Sequence, residues 1–511
     1  MNSEEHFKYI ISHCKEYGFI FPSSEIYEGL AAVYDYGQNG VELKNNLRTY
    51  WWKSMVQMHQ NIVGIDAAIF MQPKVWKASG HVDGFNDPMI DNKDSKKRYR
   101  ADVLIEEYIE KINSKVDKEV TKAAERFGEK FNYEIFVSTN ERVLSYKNEI
   151  ERIEVILKNS LESGELSNLK KLIEELGIVC QLSGTKNWTD VRQYNLMYST
   201  QMTATDGESE LYLRPETAQG IFVNFLNVQK TGRMKIPFGI AQTGKAFRNE
   251  IVARQFIMRM KEFEQMEMQF FVKPETEIKW YNYWKEFRLK WHLALGTQAV
   301  NLKYHDHLKL AHYANAAVDI EYNFPFGFKE VEGIHSRTDF DLSRHQEFSG
   351  KKIQYFDNET NSNYIPYVVE TSIGLDRLFL LQICENLKEE KLENGETRSV
   401  LKINPLLAPY KIAILPLVKK DGLPEFAEKI YNELKYDFAC FYEEKDTIGK
   451  RYRRQDAIGT PFCITVDYDS LKDNTVTLRN RDTMEQNRIN VSELDNMLKN
   501  EINWKNLLSK L

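Results

Sequence analysis

Between residues 263 and 270 the side chains alternate in kind. Phe263, Gln265, Glu267 and Gln269 share one parity, and Met266, Met268 and Phe270 hold the other. A period of two sends successive side chains to opposite faces, so this stretch predicts a half-buried strand. Residues 242–250 predict its short partner across a basic loop, with Arg248 and Glu250 on one face and Phe247 and Asn249 on the other. Elsewhere the recurrence is helical. Leu43, Leu47, Tyr50, Trp51 and Met58 predict a helix over about residues 41–63, starting after Gly40, with Lys44, Arg48 and Lys53 solvated. Further helices are predicted over residues 103–127, 148–157, 169–176, 217–228 and 280–295, the last stopped by Gly296.

After a charged stretch, KEEKLENGETR, the rhythm changes. KIAILPL, ACFYE, FCITV and TVTLRN predict strands, and residues 423–434, 448–457 and 491–498 predict helices. Alternation of this kind builds a small mixed-sheet α/β domain.

Composition agrees with a large chain of several domains. The chain has 511 residues, 60.1 kDa and 42% hydrophobic residues, enough for roughly three domains. A net charge of -6 argues against a general nucleic-acid coat, but a local basic surface for RNA remains open. The start, MNSEEHFKYIISHC, lacks a basic n-region and an apolar run, and no stretch reaches the roughly 18 apolar residues of a membrane span. A cytoplasmic protein with no membrane partner is expected. Cys14, Cys180, Cys384, Cys440 and Cys463 are far apart and form no CxxC unit, so reduced thiols and no structural zinc are expected. In KYHDHLKLAHYA, His305, Asp306 and His307 suggest a metal, but the spacing is not HExxH, and surface or packing roles are expected for the histidines through His312. GxGxxG after a first strand and GxxxxGK[ST] are both missing, which argues against Rossmann-type and P-loop nucleotide binding.

On residue types alone, the polar face around Arg248 and Glu267 is either the solvated side of an antiparallel sheet or a charged cleft. Longer runs bear on that choice. FRNE at 247–250 followed by RMKEFEQME at 259–267, LRPETAQG at 213–220, EVEGIHSRTDFDL at 330–342 and ETSIGLDR at 370–377 resemble the motifs of class II aminoacyl-tRNA synthetases in their glycyl form. GKRYRRQDAIGTPF resembles the anticodon-binding domain shared by glycyl, histidyl, prolyl and threonyl enzymes. FMQPKVWKASGH resembles the motif 1 strand reaching Pro73. With the N-terminal block the resemblance covers nearly the whole chain.

It implies an α+β fold: an antiparallel-sheet catalytic domain with a charged helical insertion, then a mixed-sheet α/β anticodon-binding domain. The expected divisions are residues 1–97 with motif 1, an insertion at 98–177, the catalytic core with motifs 2 and 3 at 178–400, and the anticodon-binding domain at 401–511. ATP and glycine as substrates, Mg2+, tRNA(Gly) and a homodimer are implied with it. Another amino-acid specificity and a noncatalytic RNA-binding paralogue are the alternatives. Loss of the ammonium-facing groups would have marked the first, and loss of Arg248 or Arg377 the second; all are present.

The resemblance also assigns residues. Arg248 and Arg377 are the catalytic pair, on the α- and γ-phosphates, where guanidinium groups hold developing charge. ATP binding is further implied for Asn249, Glu250, Met258, Arg259, Met260, Lys261, Glu262, Phe263, Glu330, Val331, Gly374, Leu375 and Asp376. Lys261 stands where arginine is common, which loses a bidentate fork. The glycine pocket is implied for Arg100, Glu216, Phe263, Glu264, Gln265, Met266, Glu267, Glu370, Thr371, Ser372, Ile373 and Gly374. Within it Glu216, Glu267 and Ser372 surround the ammonium and exclude larger side chains. Glu330 and Glu370 are the expected magnesium ligands, and Lys450, Arg451, Arg453 and Arg454 the expected tRNA contacts.

Overall fold

The computed structural model describes residues 3–204, 207–251, 255–307, 310–311, 313–392 and 395–511. Thr205 and Asp206 of the acidic stretch ATDGESE, and His312, lie outside them. The chain forms two compact units. One holds Met1–Ser79, Tyr198–Arg248 and Ala253–Leu511; the other holds Gly80–Met197 and Asn249–Val252.

The first unit is built on a seven-stranded sheet. Its strands are β1 (Ile62–Gly64), β2 (Phe238–Phe247), β3 (Glu262–Val272), β4 (Leu302–Asp306), β5 (Ala316–Phe324), β6 (Gly327–Thr338) and β7 (Tyr367–Gly374). They lie in the order β4-β5-β6-β7-β3-β2-β1, antiparallel throughout except for the β1–β2 pair. The helices used below are α1 (Gln38–Trp52), α2 (Ala218–Thr231), α3 (Glu277–Ala294), α4 (Phe340–Ser349) and α5 (Leu375–Asn386). Alternation on β3 explains the layering. Met266, Met268 and Phe270 enter the core with α3 and α5 residues such as Trp284 and Phe379, and Phe270 meets the Trp284 ring at 5.3 Å. The opposite parity carries Gln265, Glu267 and Gln269, also buried. The face is therefore a buried polar one and not a solvated one.

Several expectations give way here. β2 ends at Phe247, so Arg248, Asn249 and Glu250 follow the strand instead of alternating on it. β3 runs for 11 residues and is not short. The helix expected to reach residue 63 stops at Trp52, continues as one π-helical turn over Lys53–Gln57 and gives way to β1. Asn61 donates to the Pro237 carbonyl at 2.9 Å and ties the chain to the sheet there. Lys44 is buried, with Nζ 2.8 Å from Asp376 and 3.3 Å from Glu264. Arg48 also pairs with Glu264, at 2.7 Å. Pro73 opens a helix, Pro73–Ala78, in place of ending a strand; Gln72 caps it by accepting from the Lys74 amide. Proline suits a first helical turn because no amide hydrogen is needed there.

The C-terminal part has a five-stranded sheet in the order Cys440–Tyr442, Ile412–Pro416, Phe462–Val466, Thr475–Asn480, Gln486–Asn490. The first three strands are parallel and the last two join antiparallel, the expected mixed sheet. Gln486–Asn490 was not anticipated. Nor was the hairpin of Leu387–Lys391 with Thr397–Leu401 inside the charged stretch, where Arg398 links Glu390 to Asp456; Glu393 and Asn394 lie outside the described residues.

The second unit packs Ala101–Phe127, Glu141–Ser163 and Leu166–Glu175 through Ile105, Ile112, Ile153, Leu169 and Leu172. Its three-stranded sheet pairs Asn86–Asp91 with Arg98–Arg100 and Arg192–Asn195. The unit extends beyond 98–177 at both ends. Among the described residues no helix is long and apolar enough to cross a membrane, and all five cysteines are free thiols.

Candidate active site

Sheet register collects the polar groups. Glu267 on β3 lies opposite Ser372 on β7, and Ser372 opposite Gly333 on β6. Two positions along, Gln269, Glu370 and His335 form the next row on the same face. Ser372 Oγ donates to Glu267 Oε1 at 2.8 Å, and Thr217 Oγ1, just before α2, donates to Glu267 Oε2. Gln265 Oε1 accepts from the Thr217 amide at 3.2 Å. Gln219 on α2 donates to Glu216 at 2.9 Å and to Asp341 at 3.1 Å, and its oxygen meets His345 Nε2 at 2.8 Å.

Glu370 has a separate set of partners. His335 Nδ1 is 2.9 Å from Oε1, while Gln269 and Arg337 donate to Oε2 at 2.7 and 3.1 Å. Arg337 also makes a two-pronged contact with Asp341 and lies over the Tyr313 ring at 4.2 Å.

The two carboxylates differ electrostatically. Burial, then the charges of Glu370 and Glu216, push Glu267 up to about 8, against the hydrogen bonds from Thr217 and Ser372. Burial acts the same way on Glu370, but Arg337 and His335 outweigh it and hold that group at about 2. Burial opposes charge on His335 too, yet the bond to Glu370 raises it. The cluster thus contains a fixed anion and, beside it, a carboxylate poised to ionise when a cation arrives.

Just past the end of β7, Arg377, in the first turn of α5, contacts Glu330 Oε2 at 3.1 Å and the Glu330 carbonyl at 3.2 Å. The Arg377 charge lowers the Glu330 carboxyl below its ordinary range. Arg248 donates to the Pro215 carbonyl at 3.0 Å and lies over the Phe263 ring at 5.2 Å.

Comparison with known proteins bears on what these groups serve. A family model for the class II tRNA synthetase core domain (G, H, P, S and T) matches residues 198–386, one for glycyl-tRNA synthetase insertion domain 1 matches 87–196, and one for an anticodon binding domain matches 411–501. A glycine--tRNA ligase of Macrococcus caseolyticus is 51% identical over 484 residues, 94% of this chain and 95% of the relative. The chain belongs to the glycine--tRNA ligase family. Another ligase of that name, from Chlorobaculum tepidum, is 50% identical over 476 residues, 93% of this chain and 95% of the relative. In fold this glycine--tRNA ligase family member is also similar to the crystal structure of prolyl-tRNA synthetase from Cryptosporidium parvum complexed with halofuginone and AMPPNP. The TM-score is 0.56 at 11% identity, over 98% of this chain and 79% of that one.

Within the first unit, not every expected site residue of this family member faces the polar cluster. Met266, Thr371 and Ile373 have the opposite parity to Glu267 and Ser372 and point into the core. Glu264 turns to Lys44 and Arg48, and its amide donates to Asp376 at 2.7 Å. Asp376 is held by Tyr36 and Lys44, and Leu375 is fully buried. Met258 and Met260 lie in the hydrophobic core. Arg259 is half-buried, Glu262 pairs with Lys245, and the Lys261 carbonyl accepts from the Arg248 amide at 2.9 Å. Gly374 caps α5, where an added Cβ would meet Arg377 side-chain atoms at 3.4 Å. Val331 is a buried residue at an irregularity in β6, where Glu321 pairs with Glu330 and Ile320 with Glu332. Asn249, Glu250 and Arg100 belong to the second unit. There Asn249 donates to the Tyr194 hydroxyl at 2.8 Å, Glu250 is half-buried, and Arg100 contacts Asp102 at 2.6 Å and Asp87 at 3.1 Å.

Glu330 and Glu370 do not fit one shared magnesium. Glu370 pairs in register with His335, five residues along β6 from Glu330, roughly 15 Å of strand. Each carboxylate is already engaged, by Arg377 on one side and by His335, Gln269 and Arg337 on the other.

Arg451 is also placed otherwise than expected. It is 1% exposed and donates to the carbonyls of Pro416, Glu443 and Leu417 at 2.7, 3.0 and 3.2 Å. Lys450 is exposed, whereas Arg453 pairs with Glu396 and Arg454 with Glu443 and Asp446. Thr217, Gln219, His335, Arg337, Asp341 and His345 join the cluster with no role expected of them from the sequence. The run 330–342 did hold a signal: Gly333, His335 and Arg337 share a parity, and two of them are chemically active residues.

Proposed function

We propose that this chain is a cytoplasmic glycine--tRNA ligase that forms glycyl-adenylate from ATP and glycine with release of pyrophosphate, and then transfers the glycyl group to the terminal ribose hydroxyl of tRNA(Gly) with release of AMP. The observation that carries this reading is the Glu267 cluster: a buried carboxylate bonded by Ser372 and Thr217 and raised to about 8. An ammonium ion has three donors for such acceptors and would favour the ionised form. Glu216 adds negative charge, and the pocket walls leave the specificity to exclusion of larger side chains.

The glycine carboxylate attacks the α-phosphorus, and the bond to the pyrophosphate leaving group breaks. Arg248 is assigned to the α-phosphate and Arg377 to the γ-phosphate, where positioning and charge stabilisation replace a protein nucleophile. Phe263 supports the adenine assignment as an aromatic face beside Arg248. The magnesium expected of Glu330 and Glu370 has no shared place between them, so no step runs through it. Lys450, Arg453 and Arg454 on Ile448–Ile458 are the basic side chains assigned to tRNA phosphates. For the homodimer, Ile26, Tyr27 and Leu30 are exposed by 89%, 80% and 58%, an apolar surface that a second copy would cover. Pyrophosphate exchange with a panel of amino acids tests the whole reading. Glycine should support exchange well above every other; preferential exchange with another amino acid would overturn it.

A further inference from the structure

A second group of ligand-type side chains faces the same side of the sheet as Glu267. Asp319 on β5, Gly333 on β6, Ser372 on β7 and Glu267 on β3 form one continuous row of paired residues. His335 and Glu370 belong to the next row, and His307 enters alongside them, its amide donating to the Ala317 carbonyl at 3.1 Å. His307 Nε2 is 2.8 Å from Asp319 Oδ2, and His335 Nε2 is 4.0 Å from Asp319 Oδ1. One ligand atom from each of the three residues lies within 4.8 Å of the other two. The 4.0 Å gap is too long for a hydrogen bond. It is close to the spacing of ligands on a tetrahedral ion, where bonds of about 2.0–2.1 Å set neighbours roughly 3.4 Å apart.

Two further features prepare the space. His335 directs Nδ1 to Glu370 Oε1 at 2.9 Å, which leaves Nε2 turned toward Asp319. A carboxylate behind a histidine fixes the ring and its tautomer for metal ligation. Gly333 also keeps the place open. A Cβ there would lie 3.0 Å from His335 Cε1, 3.2 Å from His335 Nε2 and 3.5 Å from Asp319 Oδ1, so a methyl group would occupy the gap between two of the ligands.

We propose that His307, Asp319 and His335 form a binding site for a transition-metal dication of the zinc class, with Glu370 as the supporting carboxylate behind His335. Two imidazoles and one carboxylate suit such an ion better than magnesium or calcium, which select oxygen ligands. Three protein ligands leave a fourth position open, and His307, with its side chain 33% exposed, gives the ion a way in. The local spacing of His305 and His307 could not disclose this site, because Asp319 and His335 arrive from neighbouring strands. A bound ion would hold His335 against Glu370 and so fix the negative field beside Glu267.

Cobalt(II) titration of the full-length protein after removal of metals by a chelator tests the site. Visible absorption should show saturable ligand-field bands, stronger than those of the aqua ion, at one equivalent per chain, and zinc should abolish them by displacement. Asp319→Asn and His307→Ala should lose the bands, as should Gly333→Ala by occlusion. His305→Ala should keep them, since His305 instead neighbours Glu321 at 3.3 Å. Circular dichroism confirms that each variant is folded. Absence of the bands in the native protein, or native cobalt binding by folded Asp319→Asn and His307→Ala, would overturn the site. Since the readout is metal binding, failure here leaves the assignment of glycine activation standing.

Discussion

Ser372 donates to Glu267 at 2.8 Å from the directly opposed position on the neighbouring strand. The other Glu267 oxygen accepts from Thr217. Glu267→Gln keeps the shape and removes the charge. A hydrogen bond to a charged group contributes about 1.5–3 kcal/mol, so the glycine KM should rise roughly 10- to 100-fold. The ATP KM should move much less, and alanine should remain a poor substrate because the wall is intact. Separate titrations of glycine and ATP in pyrophosphate exchange distinguish these effects; a change confined to ATP would remove Glu267 from ammonium recognition.

The position of Glu267 also gives a pH signature. Its carboxyl is raised from 4.5 to about 8, first by burial and then by Glu370 and Glu216. In the window between those values the unfolded chain binds fewer protons than the native one, so this group's contribution to stability is present at the acid end and lost as pH rises through about 8. Ammonium binding has the opposite preference, because it needs the ionised form. The glycine KM should therefore fall as pH rises toward about 8, and Glu267→Gln should flatten both profiles. Thermal melts and glycine titrations across that range measure the two slopes; identical slopes in wild type and variant would remove Glu267 as their source.

Arg377 and Arg248 predict a different kinetic pattern. Arg377 leans on Glu330 and Arg248 lies over Phe263, so alanine at either position removes a cation assigned to phosphate without emptying the apolar core. Loss of one preorganised charge donor typically lowers turnover by about 10²–10³. Each variant should keep native circular dichroism and lose exchange activity to that degree. Near-normal exchange by a folded variant would cancel the role of that arginine.

Much of the architecture is legible because it depends on local alternation. The parity of residues 263–270 separates Met266, Met268 and Phe270 from Glu267 and Gln269, and β3 realises that division. Helix 423–434 follows its apolar recurrence for the same reason. What alternation cannot supply is the partner across the sheet. Lys44 reads as a solvated helix position, yet Asp376 and Glu264 draw it inside. Glu330 and Glu370 read as a metal pair, although strand register sets them apart and hands each to an arginine. Thr217 and His335 lacked an evident role because their partners, Glu267 and Glu370, come from other parts of the sheet.

The basic helix Ile448–Ile458 allows its four cations to be separated. Arg451 donates three hydrogen bonds, a buried one to the Pro416 carbonyl and part-buried ones to the carbonyls of Leu417 and Glu443. Removing it leaves those acceptors without their donor, each loss costing about 1–3 kcal/mol if water cannot enter. Arg451→Ala should consequently lower the thermal midpoint of the C-terminal part and reduce tRNA charging only through that damage. Lys450 is exposed, and Arg453 and Arg454 are about a third exposed, with side chains at 35% and 37%. Surface ion pairs such as theirs contribute roughly 0–1 kcal/mol, so the triple alanine variant should remain folded. If these side chains meet phosphates, that variant should bind tRNA(Gly) more weakly, with a salt dependence shallower by about one unit for each phosphate no longer neutralised. Adenylate formation should be unchanged in the triple variant. Binding isotherms at several salt concentrations, alongside thermal melts, give both readings; an unchanged salt slope would return the three side chains to ordinary surface roles.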